Sequence, residues 1–360
     1  MACKLEYIAE GLKEHPPLPY FFKERFEIFK EIDRIFMDGS LTSRGGDFDI
    51  GGANRQVKAN PILDLYVHQM RKALSEIESC KVEEGVVVWQ LYNMGYIVKT
   101  PGVTMGFDVV GGLRWTDRGW DVPAEIISGL SSSMDVLFVT HYIDNYYAHP
   151  SSTWRHVDHC DKEIIDLMQK EGKPVFIPTG HEAYFEDGKN MIYAQHHRSV
   201  DILGLHVTSY GGPHVYQDNP FDTPLMVYEV ITKEGKKLFF TGDFDYTLCT
   251  TVPYRDNIDV LFMRCGGVSP LYDEDHPYDL GELSKAFYFG GDSDAFYFGL
   301  EEFESKFVVA GHLAEMSHPP GGGRESYTAS FDVFNKLKLA GEDDLKYLIM
   351  FWGEKYHCLV

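Results

Sequence analysis

Between Val86 and Phe351 one pattern is written twice: closely spaced β-type runs, then wholly apolar runs alternating with helical stretches. Val86-Val87-Val88-Trp89, Tyr96-Ile97-Val98 and Val103-Thr104-Met105-Gly106-Phe107 are separated by Asn93-Met94-Gly95 and Pro101-Gly102. Such spacing and such turn residues predict antiparallel strands. Asp135 to Thr140 and Val175-Phe176-Ile177 carry continuous apolar runs and read as buried strands, with helices at Pro123–Leu130 and Val157–Lys170. The second round predicts strands at Ile202–Ser209, Pro224–Ile231, Lys237–Thr241, Asp259–Phe262 and Lys306–Ala310, a helix at Ser326–Leu337 and a closing strand at Tyr347–Phe351. Repeated in this way, the pattern specifies an α/β chain with two sheets packed together and helices outside them.

The first eighty residues follow a different period. Phe22, Phe26, Phe29, Ile32, Ile35 and Phe36 form one apolar stripe, and Asn60-Pro61 reads as an N-cap followed by proline at the first helical position. This helical N-terminus reads as packing or as a contact between copies of the chain. The charge balance, 33 Lys+Arg against 55 Asp+Glu, is −22 with no basic run, so nucleic acid is not an expected partner. Cys3, Cys80, Cys160, Cys249, Cys265 and Cys358 lie far apart and form no CxxC, as expected of free thiols in a reducing compartment. Charged residues break up Met1 to Phe22, and no run approaches the ~18 apolar residues of a membrane span. The expectation is a cytoplasmic protein with no membrane association.

Four junctions carry chemistry. In Val139-Thr140-His141, Gly211-Gly212-Pro213-His214, Phe240-Thr241-Gly242-Asp243 and Val309-Ala310-Gly311-His312, a predicted strand ends and a metal-competent residue follows. Strand ends are rigid, and glycine allows close approach of backbone and ligand. Three imidazoles with one carboxylate suit zinc, iron or manganese.

The order of these junctions resembles the metallo-β-lactamase-fold superfamily of hydrolases. The most specific parts are Lys237-Leu238-Phe239-Phe240-Thr241-Gly242-Asp243, similar to the strand leading to that family's bridging aspartate, and Val309-Ala310-Gly311-His312, similar to its last metal histidine. The resemblance implies a four-layer αββα sandwich over 85–360, with 1–84 as a helical N-terminal extension. It also implies a metal-bound hydroxide acting on a small ester, lactone or phosphoester. The family signature His-x-His-x-Asp-His maps onto His141-Tyr142-Ile143-Asp144-Asn145-Tyr146, where only His141 agrees. Ile143 cannot ligate, neutral Asn145 cannot accept a proton, and Tyr146 binds well only as a phenolate. Carried over residue by residue, the resemblance implies one divalent ion on His141, His214, Asp243 and His312, zinc first with iron or manganese as alternatives, and argues against a full second site. Asn145 stands at the water-orienting position, and Asp144 supplies the carboxylate if the loop slips by one residue. The same departures motivate an alternative: the fold persists as a catalytically inactive ligand-binding or scaffold protein.

Other clusters weigh less. His149, His156, His159 and Cys160 follow the signature loop, and the spacing of His156 and Cys160 on the predicted helix reads as packing. At most one of His196 and His197 reaches a pocket, since neighbours on a strand face opposite ways. Glu315, His318 and Arg324 after His312 read as a pocket rim or a capped helix start. The repeated Ala-Phe-Tyr-Phe-Gly at 286–290 and 295–299 has no structural reading, and there is no G-x-S-x-G or phosphate-binding glycine loop.

Overall fold

The computed structural model describes residues 2–37, 61–111, 122–141, 159–181, 185, 188, 190–212, 225–244, 255–265, 303–313, 327–331, 334 and 345–360. Three helices lead, α1 (Ala2–Glu14), α2 (Lys23–Met37) and α3 (Pro61–Ser79). β1 (Val86–Gln90), β2 (Tyr96–Lys99) and β3 (Thr104–Phe107) follow, then α4 (Ala124–Ser133), β4 (Val136–Phe138), α5 (Lys162–Lys170), β5 (Val175–Pro178) and β6 (Met191–Ala194). The second half contains β7 (Arg198–Ile202), β8 (Leu205–Gly212), β9 (Leu225–Ile231), β10 (Lys237–Phe240), β11 (Arg255–Arg264) and β12 (Phe303–Gly311). After these come α6 (Tyr327–Ser330), β13 (Lys346–Ile349) and β14 (Lys355–Cys358).

The strands form two sheets, ordered β14-β1-β2-β3-β4-β5-β6 and β13-β12-β11-β10-β9-β8-β7. In each, antiparallel pairs give way to parallel ones: β3, β4, β5 and β6 run parallel in the first sheet, and β10, β11, β12 and β13 in the second. Strand alternation builds the layers. Val86 and Val88 face the space between the sheets while Val87 and Trp89 face the helices; Phe240 and Phe262 face inward while Phe239 and Leu261 face outward. Each fully buried side chain of this kind contributes roughly 1.5–3 kcal/mol relative to exposure. Aromatic rings cross the inner layer, with Phe107 4.9 Å from both Phe138 and Phe240 and Phe138 4.8 Å from Phe176.

The leading helices belong to the same outer core as α4, α5 and α6. Arg25 of α2 makes a buried ion pair with Glu354, between β13 and β14, and donates to the main-chain oxygens of His15 and Ile349 at 2.7 and 2.9 Å. Asp33 accepts from the Tyr327 N–H at 2.8 Å.

Two predicted elements differ. The run read as one strand from Ile202 to Ser209 is a hairpin, because Leu203 (φ 51°) and Gly204 (φ 78°) form a two-residue turn pairing Ile202 with Leu205. The helix expected from Val157 begins at Lys162, since Asp161 caps it, accepting from the N–H groups of Glu163 and Ile164. Cys160 therefore precedes the helix, and His156 lies outside the described residues. Of the predicted Ser326–Leu337 helix, Tyr327–Ser330 is described. No described helix is long and apolar enough to cross a membrane, and among the described cysteines Cys80, Cys160, Cys265 and Cys358 are free thiols.

Candidate metal centre

β3, β4, β10 and β12 deliver their following residues to one edge of the sandwich. Asp108 follows β3, Thr140-His141 follow β4, Asp243 follows β10 and His312 follows β12. The second sheet approaches the first closely at Gly242, with φ 55°, where a Cβ would stand 2.7 Å from the Thr140 side chain. Only glycine takes that conformation there without strain. His159 arrives from the other direction, two residues before the Asp161 cap, whose second oxygen accepts from the Gly111 N–H at 2.9 Å.

The Asp243 carboxylate is the hub. Its Oδ2 lies 3.1 Å from His159 Nε2, 3.4 Å from His312 Nε2 and 3.8 Å from His141 Nε2. All four residues are buried. The His159 ring lies 4.2 Å from that of His141 and 6.0 Å from that of His312. Arg264, at the end of β11, donates to the Asp243 main-chain oxygen at 3.3 Å.

Hydrogen bonds behind the cluster set its tautomers. Asp108 Oδ1 accepts from the Thr140 N–H at 2.7 Å, and its Oδ2 lies 2.6 Å from Thr140 Oγ1 and 2.7 Å from His159 Nδ1. An ionised carboxylate only accepts, so both the hydroxyl and His159 Nδ1 donate to it. Having given its one hydrogen to Asp108, Thr140 Oγ1 accepts from His141 Nδ1, 2.9 Å away. Nδ1 of each imidazole is thus held from behind and Nε2 faces Asp243, the orientation a ligating histidine takes when a carboxylate or hydroxyl stands behind it.

Lone pairs facing a carboxylate at such distances repel unless a cation joins them. Burial alone would push the His159 imidazole down, but Asp243 and Asp108 together raise it well above its ordinary value, so a proton can play that part. A divalent ion fits the same donors. One ligand atom from each of His141, His159 and Asp243 lies within 4.8 Å of the other two. Donors ~2.0–2.1 Å from a tetrahedral ion stand roughly 3.3 Å apart, and the separations of Asp243 Oδ2 from the three imidazoles bracket that value. Asp108 itself is raised by burial, with the His159 and Thr140 contacts pulling it back.

Of the residues singled out in the sequence, His141, Asp243 and His312 are brought together. His214, Asp144 and Asn145 lie outside the described residues; β8 carries the chain as far as Gly212, beside the Phe244 ring. His196 and His197 stand exposed before β7, with His196 Nδ1 accepting from the Gly211 N–H at 3.0 Å. The sequence reading missed His159, which it grouped with packing residues, along with Asp108, Thr140 and Asn93. A signal for His159 was present. His156-Val157-Asp158-His159 has the spacing of the second half of His-x-His-x-Asp-His, displaced from His141 by residues 142–155. Forcing the signature onto six consecutive residues placed Ile143, Asn145 and Tyr146 where the displaced motif has His156, Asp158 and His159.

Two facing mixed sheets flanked by helices make an αββα sandwich, with this cluster at their common edge. No family model and no curated protein matches the chain. Among solved structures it is similar to Igni18, a metallo hydrolase from Ignicoccus hospitalis, at 15% identity and TM-score 0.46, over 75% of this chain and 97% of that one. It is similar also to the metallo-β-lactamase-fold protein YhfI from Bacillus subtilis, at 14% identity and TM-score 0.44, over 76% and 99% of the two chains. A third is CmlA, a diiron β-hydroxylase from Streptomyces venezuelae, at 14% identity and TM-score 0.46, over 78% of this chain and 55% of that one.

Proposed function

We propose that this protein is a metal-dependent hydrolase whose divalent ion is held by His141, His159 and Asp243, with His312 beside the same carboxylate, zinc first with iron or manganese as alternatives. The observation that carries the reading is the pair of imidazoles, held at Nδ1 by Thr140 and Asp108, whose Nε2 atoms face one buried carboxylate. Sequence adds His214 and the displaced His156 and Asp158. With them the chain regains a full His-x-Asp-His, and a second ion becomes part of the proposal. An ion here supplies Lewis acidity, polarising a carbonyl or phosphoryl oxygen and bringing a coordinated water toward a pKa of ~7.

The chain's own groups do the rest. Asp108 and Thr140 hold the imidazoles in their donor tautomer, and Asp158, in place of Asp144 or Asn145, is the carboxylate for orienting water and taking its proton. Burial of the cluster keeps bulk water away from the donors. Small esters, lactones or phosphoesters are the substrate class, in a cytoplasmic setting.

Metal analysis of untagged protein grown with zinc, iron and manganese tests the reading, together with turnover of p-nitrophenyl esters, lactones and bis-p-nitrophenyl phosphate. Expected are stoichiometric metal and chelator-sensitive turnover of one of these substrate classes, both diminished in His159→Ala. Sub-stoichiometric metal would sink the proposal. Full metal content without turnover in any class would favour the scaffold alternative.

A further inference from the structure

The turn between β1 and β2 points a polar side chain inward. Asn93 has φ 54° and is fully buried. Its main-chain oxygen accepts from Gln90 Nε2 at 2.9 Å, and the Gly95 N–H donates to the Tyr92 oxygen at 2.7 Å, closing the turn. At Gly95 the turn lies so near the Asp108 carbonyl that a Cβ would stand 3.0 Å from its oxygen. The turn is thus docked on the residue that holds His159.

From this turn the carboxamide reaches the metal centre. Asn93 Nδ2 is 3.4 Å from His159 Nε2, the same spacing that separates Asp243 Oδ2 from His312 Nε2. Its Oδ1 is buried and has no hydrogen-bond partner among the described residues. The oxygen and nitrogen of a carboxamide have the same shape, and only their hydrogen bonds tell them apart. Half a turn about the terminal torsion puts Oδ1 where Nδ2 stands, against an Nε2 whose lone pair faces the cluster, and an oxygen is the end that a cation selects.

We propose that Asn93 is a ligand of the ion held by His159 and Asp243, with its Oδ1 giving a neutral oxygen donor from the β1–β2 turn. The inference rests on the metal reading above. A purely turn-forming asparagine accounts for the positive φ, which Asn tolerates. It does not account for a buried amide end beside the His159 imidazole, since the turn's own hydrogen bonds use only backbone groups and Gln90. A neutral oxygen hardens the donor set without adding charge, which favours iron or manganese relative to an all-imidazole site.

Asn93→Gly keeps the left-handed turn and removes the amide, whereas Asn93→Asp keeps the shape and adds a charge. Zinc affinity by chelator competition and the visible spectrum of the cobalt(II)-loaded protein read both variants without any substrate. Expected are zinc binding at least tenfold weaker and an altered cobalt spectrum in Asn93→Gly, with tighter binding in Asn93→Asp. Wild-type affinity and spectrum in Asn93→Gly would remove Asn93 and leave the metal reading standing. Weaker binding with an unchanged cobalt spectrum would also overturn the ligand assignment, since Asn93 would then act through His159. If Asn93→Gly does not fold, unchanged affinity and spectrum in Asn93→Asp overturn it. A wild-type protein that takes up no metal removes both proposals.

Discussion

Asp108→Asn is the sharpest test of how the centre is organised. The amide keeps the size of the carboxylate, and asparagine is at least as comfortable as aspartate at the φ of 43° found there. Its Oδ1 can still accept from the Thr140 N–H, now at 2.7 Å. The other oxygen becomes an NH2, a donor facing Thr140 Oγ1 and His159 Nδ1, which lie 2.6 and 2.7 Å from the present carboxylate oxygen. His159 Nδ1 must then accept, which moves its proton to Nε2 and blocks the atom 3.1 Å from Asp243. The Thr140 hydroxyl hydrogen loses its acceptor as well, and the orientation of His141 loosens. Two of the three bonds to Asp108 are therefore inverted while the packing is retained. Loss of such supporting bonds typically weakens metal binding 10–100-fold, about 1.4–2.7 kcal/mol. The assay is zinc affinity by chelator competition at neutral pH, with chemical denaturation of the metal-free variant to establish that it is folded. A folded Asp108→Asn protein that binds zinc as tightly as the wild type would refute the tautomer argument and the Nε2 ligation that depends on it.

Other consequences are quicker to check. Arg25→Met strands the buried Glu354 carboxylate between β13 and β14 and should cost about 3–5 kcal/mol in urea denaturation, with zinc stoichiometry retained in the folded protein. Gly242→Ala drives a methyl group into Thr140 at a positive φ; it should destabilise the fold by about 1–3 kcal/mol and lower zinc occupancy, and a neutral result would contradict the close approach of the two sheets. Free zinc at a thousandfold excess over its Kd should stabilise the wild type by about 4 kcal/mol, seen as a rise in melting temperature that chelator reverses and His159→Ala largely lacks. His206→Ala, at an exposed pair with Asp201, should leave that rise unchanged.

Local sequence carried much of the architecture because strand burial leaves a short-range trace. The apolar runs around Val136–Phe138 and Val175–Ile177, and the turns at Asn93-Met94-Gly95 and Pro101-Gly102, follow from a two-residue period and from turn chemistry. The Leu203-Gly204 hairpin was missed because the apolar alternation continues on either side of a two-residue turn. His141, Asp243 and His312 were legible as strand-end residues after glycine or threonine. His159 was hidden by residues 142–155, which separate it from His141 in the chain while the fold sets their rings 4.2 Å apart.

The sequence by itself determined two sheets with outer helices and strand ends bearing metal-competent side chains, since hydrophobic period and turn residues act over a few neighbours. Tertiary structure alone decided which donors meet and in what protonation state. Asp108 leaves β3 and His159 precedes α5, so only packing of those elements brings a carboxylate behind that imidazole. Asn93 looked like an ordinary turn residue until the fold buried its amide beside His159. Hydrogen-bond direction depends on partners distant in sequence, and no local pattern encodes it.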